Sequence, residues 1–300
     1  MIRIICGPTA AGKSGLAMRL AERLGLSIVS ADSRQIYRKF DIGTAKPSAA
    51  EQARVSHRCI DVAEPTERWS AWRWASDAAA VVDDVGDDRV LVVGGTGLYL
   101  QALVHPMVEQ PSLDPVGRLR VSTELDAWPI EKLREWTAVL DPARAHLGRT
   151  QLLRAIETVL LTGHRLSDMI ASAHLKAPDR PARWLVVDPG DPLQTQISAR
   201  LDAMLASGWV DEAAALDKQY PEDAPAWKAC GYREARAVAR GEQTLAEART
   251  TILVHTRQYA KRQRTWFRNQ LASADVTRLD PRDPRADDIV RSWWDSEDSA

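Results

Sequence analysis

Two patterns of hydrophobic and polar positions alternate along the chain. Short β-branched runs at 2–6, 27–31 and 89–93 are followed by turns and then by stretches of helical period. Residues 15–24 carry Leu16, Met18, Leu20 and Leu24 on that period, and 70–85 reads as a helix capped by Ser70. Strands alternating with helices predict a parallel sheet with right-handed crossovers. Beyond residue 108 the strand signal stops. Helix-like segments fill 114–126, 130–139 and 150–162, broken by Pro111, Pro115, Pro129 and Pro142. Strand character returns at 183–187, and helices then run to about Gln270. The expected fold is α/β, with a parallel-sheet core over 1–108 and 183–270 and an α-helical insertion over 109–182. Residues 271–300 read as a C-terminal tail, whose acidic end at Asp295, Glu297 and Asp298 is expected to fray.

Composition narrows the class. With 300 residues, 45% of them hydrophobic, the chain can bury a core without covalent staples. Forty basic residues face 41 acidic ones, so no global field selects a polyanion, although a local basic face would suffice. Cys6, Cys59 and Cys230 lie far apart without Cys-x-x-Cys spacing, which fits a reducing compartment and argues against a disulfide frame or thiolate zinc site. The uncharged run 90–108 contains Gly94-Gly95-Thr96-Gly97 and His105-Pro106, which break a spanning helix. The start of the chain lacks a signal-peptide core. A cytoplasmic protein with no membrane partner is expected.

Gly7-Pro8-Thr9-Ala10-Ala11-Gly12-Lys13-Ser14 has the phosphate-loop spacing, between a strand and a helix. Glycines turn backbone N–H groups inward and the helix start adds its positive end. Lys13 would reach the outer phosphate oxygens and Ser14 would ligate Mg²⁺. Such loops are common to ATP-binding proteins, yet the 89–93 strand ends in glycines where an NTPase carries aspartate. Asp188 follows another apolar run, but Pro189-Gly190 after it mark a turn and a structural role. Asp32 ends the second strand, at the edge where open α/β sheets bind ligands. Two roles stay open for it, cap of a short helix over 33–37 or catalytic carboxylate.

From Arg249 to Arg268 the chain holds six Lys/Arg and no acid. A one-signed run gains nothing from i, i+4 pairing and suits polyphosphate or RNA. Arg257 and Lys261 share one helix face and are expected toward a diphosphate, with Arg262 and Arg268 outward toward RNA phosphates and Arg264 between. His57 and His255 lack metal-ligand spacing, and Trp69, Trp72 and Trp74 read as packing residues.

The loop at 7–14, Ser30-Ala31-Asp32-Ser33-Arg34-Gln35-Ile36-Tyr37, Asp41-Ile42-Gly43-Thr44-Ala45-Lys46-Pro47, Gly94-Gly95-Thr96-Gly97-Leu98-Tyr99-Leu100, Gly231-Tyr232-Arg233-Glu234 and Thr256-Arg257-Gln258-Tyr259-Ala260-Lys261-Arg262-Gln263 keep one order over residues 1–270. Together they resemble the tRNA dimethylallyltransferase family. The resemblance implies a kinase-like phosphate-loop α/β core with a helical insertion for the tRNA anticodon arm. It implies transfer of dimethylallyl from dimethylallyl diphosphate to N6 of adenosine 37, in tRNAs reading codons that start with U. Asp32 would be the base and Thr96 would contact the target nucleotide. Gly7, Pro8, Thr9, Ala10, Ala11, Gly12, Lys13 and Ser14 would hold the diphosphate. Asp32, Ser33, Arg34, Gln35, Thr96, Arg118, Thr150, Gln151, Leu152, Leu153 and Arg154 match tRNA-contacting stretches. Departures from the family pattern are Ala11 for serine, Ser14 for threonine, Gln151 for arginine and His57-Arg58 for a histidine pair.

The chemistry accounts for these residue types independently. An adenine N6 amine is a weak nucleophile, so the allylic C–O bond must break early. Mg²⁺, loop N–H groups and Lys13 would stabilise the departing charge, and an ionised Asp32 would accept the N6 proton. Three rival classes remain: prenyl transfer to free AMP or ADP, a small-molecule kinase, and a nucleotide-switched RNA-binding module. The insertion argues against the first, since a free nucleotide needs no such arm. A monomer is expected.

Overall fold

The computed structural model describes residues 1–105, 113–174, 179–271 and 276–296. By internal contacts the chain forms two compact units, Met1–Val104 with Arg180–Ala300, and His105–Asp179. Pro111 and the boundary expected at 108 lie outside the described residues, as do Glu297 and Asp298.

The first unit begins with β1 (Ile2–Cys6), α1 (Lys13–Leu24), β2 (Ser27–Ala31), α2 (Ala49–Arg54), β3 (His57–Arg58), α3 (Ala71–Val85), β4 (Val90–Gly94) and α4 (Gly97–Val104). In the second unit α5 (Pro115–Asp126), α6 (Ile130–Leu140), α7 (Arg149–Thr162) and α8 (Leu166–His174) follow. The first unit resumes with β5 (Ala182–Val187), α9 (Leu193–Ala206), α10 (Trp209–Asp217), α11 (Tyr232–Ala239), α12 (Leu245–Gln270), β6 (Val276–Leu279) and α13 (Ala286–Asp295).

The six described strands form one parallel sheet in the order β3-β2-β4-β1-β5-β6. A central parallel strand is covered on both faces, which is why β1 is apolar at every position but Arg3. Ala31, Gly94, Cys6 and Val186 lie level across four neighbouring strands. The loops that follow β1, β2, β4 and β5 therefore emerge at one edge of the sheet. Ser70 caps α3 by accepting the Arg73 N–H at 3.1 Å, as its position before the periodic stretch predicts. Trp74 is fully buried, stacks on Tyr99 and donates its indole N–H to the Ser30 carbonyl at 2.9 Å.

Residues 276–295 hold a strand and a helix rather than a loose tail. β6 extends the sheet beside β5, and Val290 and Trp293 of α13 enter the main hydrophobic core. Ala286, Ile289, Val290, Trp293 and Trp294 repeat at helical spacing, so the acidic end masked a readable amphipathic helix. Asp295 is its last residue.

The second unit packs around Leu125, Leu133, Leu152 and Ile156. Pro115 occupies the first turn of α5, Pro129 precedes α6, and Pro142 opens a 3-10 turn. The prolines mark helix starts, where a missing N–H costs nothing.

Candidate active site

The loop from Gly7 to Ser14 leaves the central strand and enters α1. An added Cβ at Gly7 would stand 2.1 Å from the Val187 carbonyl oxygen, so only glycine lets the loop pass β5. Ala10 and Gly12 take left-handed φ values of 63° and 87°, which turn the chain sharply into α1. Gly12 caps that helix without a side-chain bond, leaving donors of the first turn for an anion. The Lys13 ammonium donates to the Pro8 carbonyl at 2.6 Å, curled back over the loop. Burial, reinforced by the like charge of Arg200, pushes its pKa down to about 8, against the partly offsetting pull of Asp32.

Asp32 leaves β2 as the base of a turn. Its Oδ1 accepts the Arg34 N–H at 2.8 Å, and the residues that follow form turns. The helix over 33–37 does not form: the Tyr37 N–H reaches back only three residues, to the Arg34 carbonyl, and the Arg38 N–H donates instead to the Ala63 carbonyl beside the Tyr37–Ala63 bridge. Thr96 stands opposite: its Oγ1 accepts the Ser33 N–H at 3.1 Å, and the Tyr259 phenol lies nearby. Burial and the nearby Asp32 carboxylate push the Tyr259 phenol up, so it stays protonated. Gln35 turns inward. Its amide donates to the Thr44 and Ala45 carbonyls at 3.2 and 3.0 Å, and accepts the Ser30 hydroxyl at 2.8 Å.

Two cavities meet here. The larger, about 520 Å³, has Ile197, Leu201, Trp209 and Trp227 in its apolar wall and Arg34, Arg233 and Arg262 among its charged lining. The smaller, about 120 Å³, includes Lys13, Ser14, Lys46 and Gly95 in its lining. Thr9, Asp32, Arg200 and Tyr259 line both. A carboxylate, a guanidinium and the loop thus share one junction.

Arg200, on α9, is absent from the sequence-derived set. Its guanidinium lies 3.4 Å from the Thr9 hydroxyl, and burial lowers its pKa. Its signal was weak, one arginine on an amphipathic helix far along the chain. Tyr259 and Gln263 belong to a quoted motif but received no role. Gln263 accepts the Thr9 N–H and donates to the Gly95 carbonyl, both at 2.8 Å. An added Cβ would approach Gln263 to 2.3 Å at Gly95 and Trp266 to 2.3 Å at Gly97. The glycines after β4 therefore let α12 close onto the sheet edge.

That helix turns differently from expectation. Thr256, Tyr259 and Arg262 line the larger cavity, whereas Arg257 and Lys261 are exposed and line neither. Arg262 also lies over the Tyr259 ring at 5.9 Å. The split proposed for these cations is corrected: the apolar face holding Ala260 and Phe267 decides the rotation, and it brings position 262 to the cavity. Arg268 is exposed, as expected. The run also has acidic partners from elsewhere in the chain. Arg264 pairs with Asp188, Arg249 with Asp202 at 2.6 Å, and His255 with Glu234 at 3.2 Å. His57 bonds the Val55 carbonyl at 2.9 Å.

In the second unit, Arg118 pairs with the buried Glu157 at 3.1 Å. Thr150, Gln151 and Arg154 are exposed and Leu153 is half-buried, but Leu152 is fully buried in the helical core. A side-chain contact from Leu152 to RNA is thereby removed. Among the described residues, no group of three or more His, Cys, Asp or Glu could hold a metal, and no helix is long and apolar enough to cross a membrane.

Family models described as IPP transferase and isopentenyl transferase match residues 35–270 and 1–62. The chain belongs to the IPP transferase family. It is 44% identical to a tRNA dimethylallyltransferase of Gloeobacter violaceus, over 93% of this chain and 92% of the relative. The corresponding enzyme of Maricaulis maris is 40% identical over 90% of each. The tRNA isopentenylpyrophosphate transferase of Bacillus halodurans superposes with a TM-score of 0.66 at 31% identity, covering 97% of this chain and 94% of that one.

Proposed function

We propose that the protein transfers the dimethylallyl group of dimethylallyl diphosphate to N6 of adenosine 37 in tRNA. The reading rests above all on the junction of the two cavities, where Thr9, Asp32, Arg200 and Tyr259 border both. The diphosphate takes the loop side, against the N–H groups at the start of α1, Lys13 and Arg200. The adenine, swung out of the anticodon loop, takes the larger cavity, whose arginine lining suits an RNA backbone. Arg34, Arg233 and Arg262 supply that lining.

As the allylic C–O bond breaks, its electron pair leaves with the diphosphate, and Lys13 and Arg200 stabilise the growing charge. The N6 lone pair forms the new C–N bond, and Asp32 accepts the N6 proton. The exposed Ser14 hydroxyl, one residue from Lys13 on the smaller cavity, is a hard oxygen donor that would help to hold Mg²⁺. Bound there, Mg²⁺ would supply charge neutralisation. Thr96 lines neither cavity and is assigned to the acceptor side through the Ser33 N–H that its hydroxyl accepts beside Asp32. Arg118, Thr150, Gln151 and Arg154 are assigned to the anticodon stem-loop. Incubation with dimethylallyl diphosphate, Mg²⁺ and unmodified tRNA, followed by digestion, should yield N6-dimethylallyladenosine. Its absence, with tRNA-stimulated phosphate release from ATP, would sink the reading.

A further inference from the structure

The β1–β4 ladder ends at Cys6 and Gly94. Beyond it the two strands run into different loops, and among the described residues no backbone hydrogen bond joins 7–12 to 95–97. The Gln263 side chain, 6% exposed, spans that gap. Its Oε1 accepts the Thr9 N–H and its Nε2 donates to the Gly95 carbonyl, each at 2.8 Å. An amide is the neutral side chain that offers an acceptor and a donor in one rigid plane, so it continues the ladder where backbone cannot. One turn earlier on the same helix face, Tyr259 lies beside Thr96, whose Oγ1 accepts the Ser33 N–H next to Asp32.

We infer that Gln263 is a positioning residue whose amide sets the spacing between the glycine loop and the Gly95-Thr96 turn, and through it the placement of the allyl carbon relative to the acceptor side. This rests on the reading that the loop holds the diphosphate. Leucine at 263 would leave the buried Gly95 carbonyl and the half-buried Thr9 N–H without these partners. Glutamate is the sharper probe, because its protonated form keeps both an acceptor and a donor. Once ionised it turns a second acceptor toward the Gly95 carbonyl and adds a negative charge beside the loop.

The test measures kcat and KM for both substrates from about pH 5.5 to 8.5, and dimethylallyl diphosphate binding by calorimetry, for the wild type, Gln263→Leu and Gln263→Glu. Gln263→Leu should lose about 10- to 100-fold in kcat/KM for dimethylallyl diphosphate, with the tRNA KM within about 2-fold. Gln263→Glu should match the wild type at the acid end. It should then lose the same factor as pH rises through a glutamate pKa that burial has raised, a step absent from the wild-type profile. A purely structural role would lower thermal stability without adding that step. A Gln263→Glu profile parallel to the wild type's overturns the inference, and decides alone if Gln263→Leu does not fold. Wild-type protein that binds no dimethylallyl diphosphate overturns the donor reading, and the inference with it. Normal donor binding beside an unshifted Gln263→Glu profile overturns the inference only.

Discussion

Lys13 is expected to take up a proton when the diphosphate binds. Its ammonium is folded back onto the Pro8 carbonyl, and burial beside Arg200 brings its pKa to about 8 from an ordinary 10.5. At that value it is about 90% charged at pH 7, half charged at pH 8 and about 10% charged at pH 9. A diphosphate in the loop drives it to the charged form. Binding should therefore take up about 0.1 proton at pH 7, about 0.5 at pH 8 and about 0.9 at pH 9. Affinity follows: the dissociation constant is flat below pH 8 and rises toward about ten-fold per pH unit above it. The assay is titration calorimetry of dimethylallyl diphosphate at fixed Mg²⁺, in buffers of differing ionisation enthalpy, with Lys13→Met alongside. Ionisation of the ligand is common to both proteins and cancels in their difference. Uptake that does not change with pH, or that Lys13→Met reproduces, would refute the argument. For folding, the unfolded lysine binds a proton that the folded one lacks between about pH 8 and 10.5, so its penalty on stability is full below that window and fades as pH rises through it.

Asp32→Asn keeps an oxygen for the Arg34 N–H, so tRNA affinity should stay within a few-fold while single-turnover transfer falls by about 10²–10⁴. Near-normal transfer would reduce Asp32 to a turn former. Arg200→Met should raise the KM for dimethylallyl diphosphate by about 10-fold or more, through loss of a buried charged donor, and an unchanged KM would remove Arg200 from the diphosphate site. Gly97→Ala forces a methyl to within 2.3 Å of Trp266 and should cost about 1–3 kcal/mol in denaturant unfolding; an unmoved midpoint would contradict the close approach of α12. Arg268→Ala should flatten the slope of log tRNA affinity against log salt by about 0.7–0.9 without slowing single turnover at saturating tRNA. Arg262→Ala should slow the chemistry as well, and identical behaviour of the two variants would undo the distinction drawn from the rotation of α12.

The parallel core, the loop at 7–14 and Asp32 were readable because each depends on neighbours in sequence. β-branched runs, a fixed glycine spacing and a cap at Ser70 carry their own geometry. Residues set by tertiary contact were not readable. Arg200 joins the site through the packing of α9, and Arg264 loses its place among free cations only because Asp188 arrives from the end of β5. The rotation of α12 misled for a similar reason. Charge spacing put Arg257 and Lys261 together correctly, but which face turns inward is decided by Ala260 and Phe267, each buried. β6, at four residues, is too short to stand out from a polar stretch, and it exists because β5 offers it an open edge.

Val104 and Arg180, the two residues that bracket the second unit in the chain, are hydrogen-bonded to each other, the Arg180 N–H donating to the Val104 carbonyl at 2.8 Å. Arg180 is also tied to Asp83 of α3 at 2.7 Å, which anchors the return point to the sheet unit independently of anything between. The chain thus departs and comes back through one clasp. Genetic change in the stretch between can lengthen, shorten or exchange it without moving the strands of the sheet. Two units joined this way are free to diverge at different rates within a single gene.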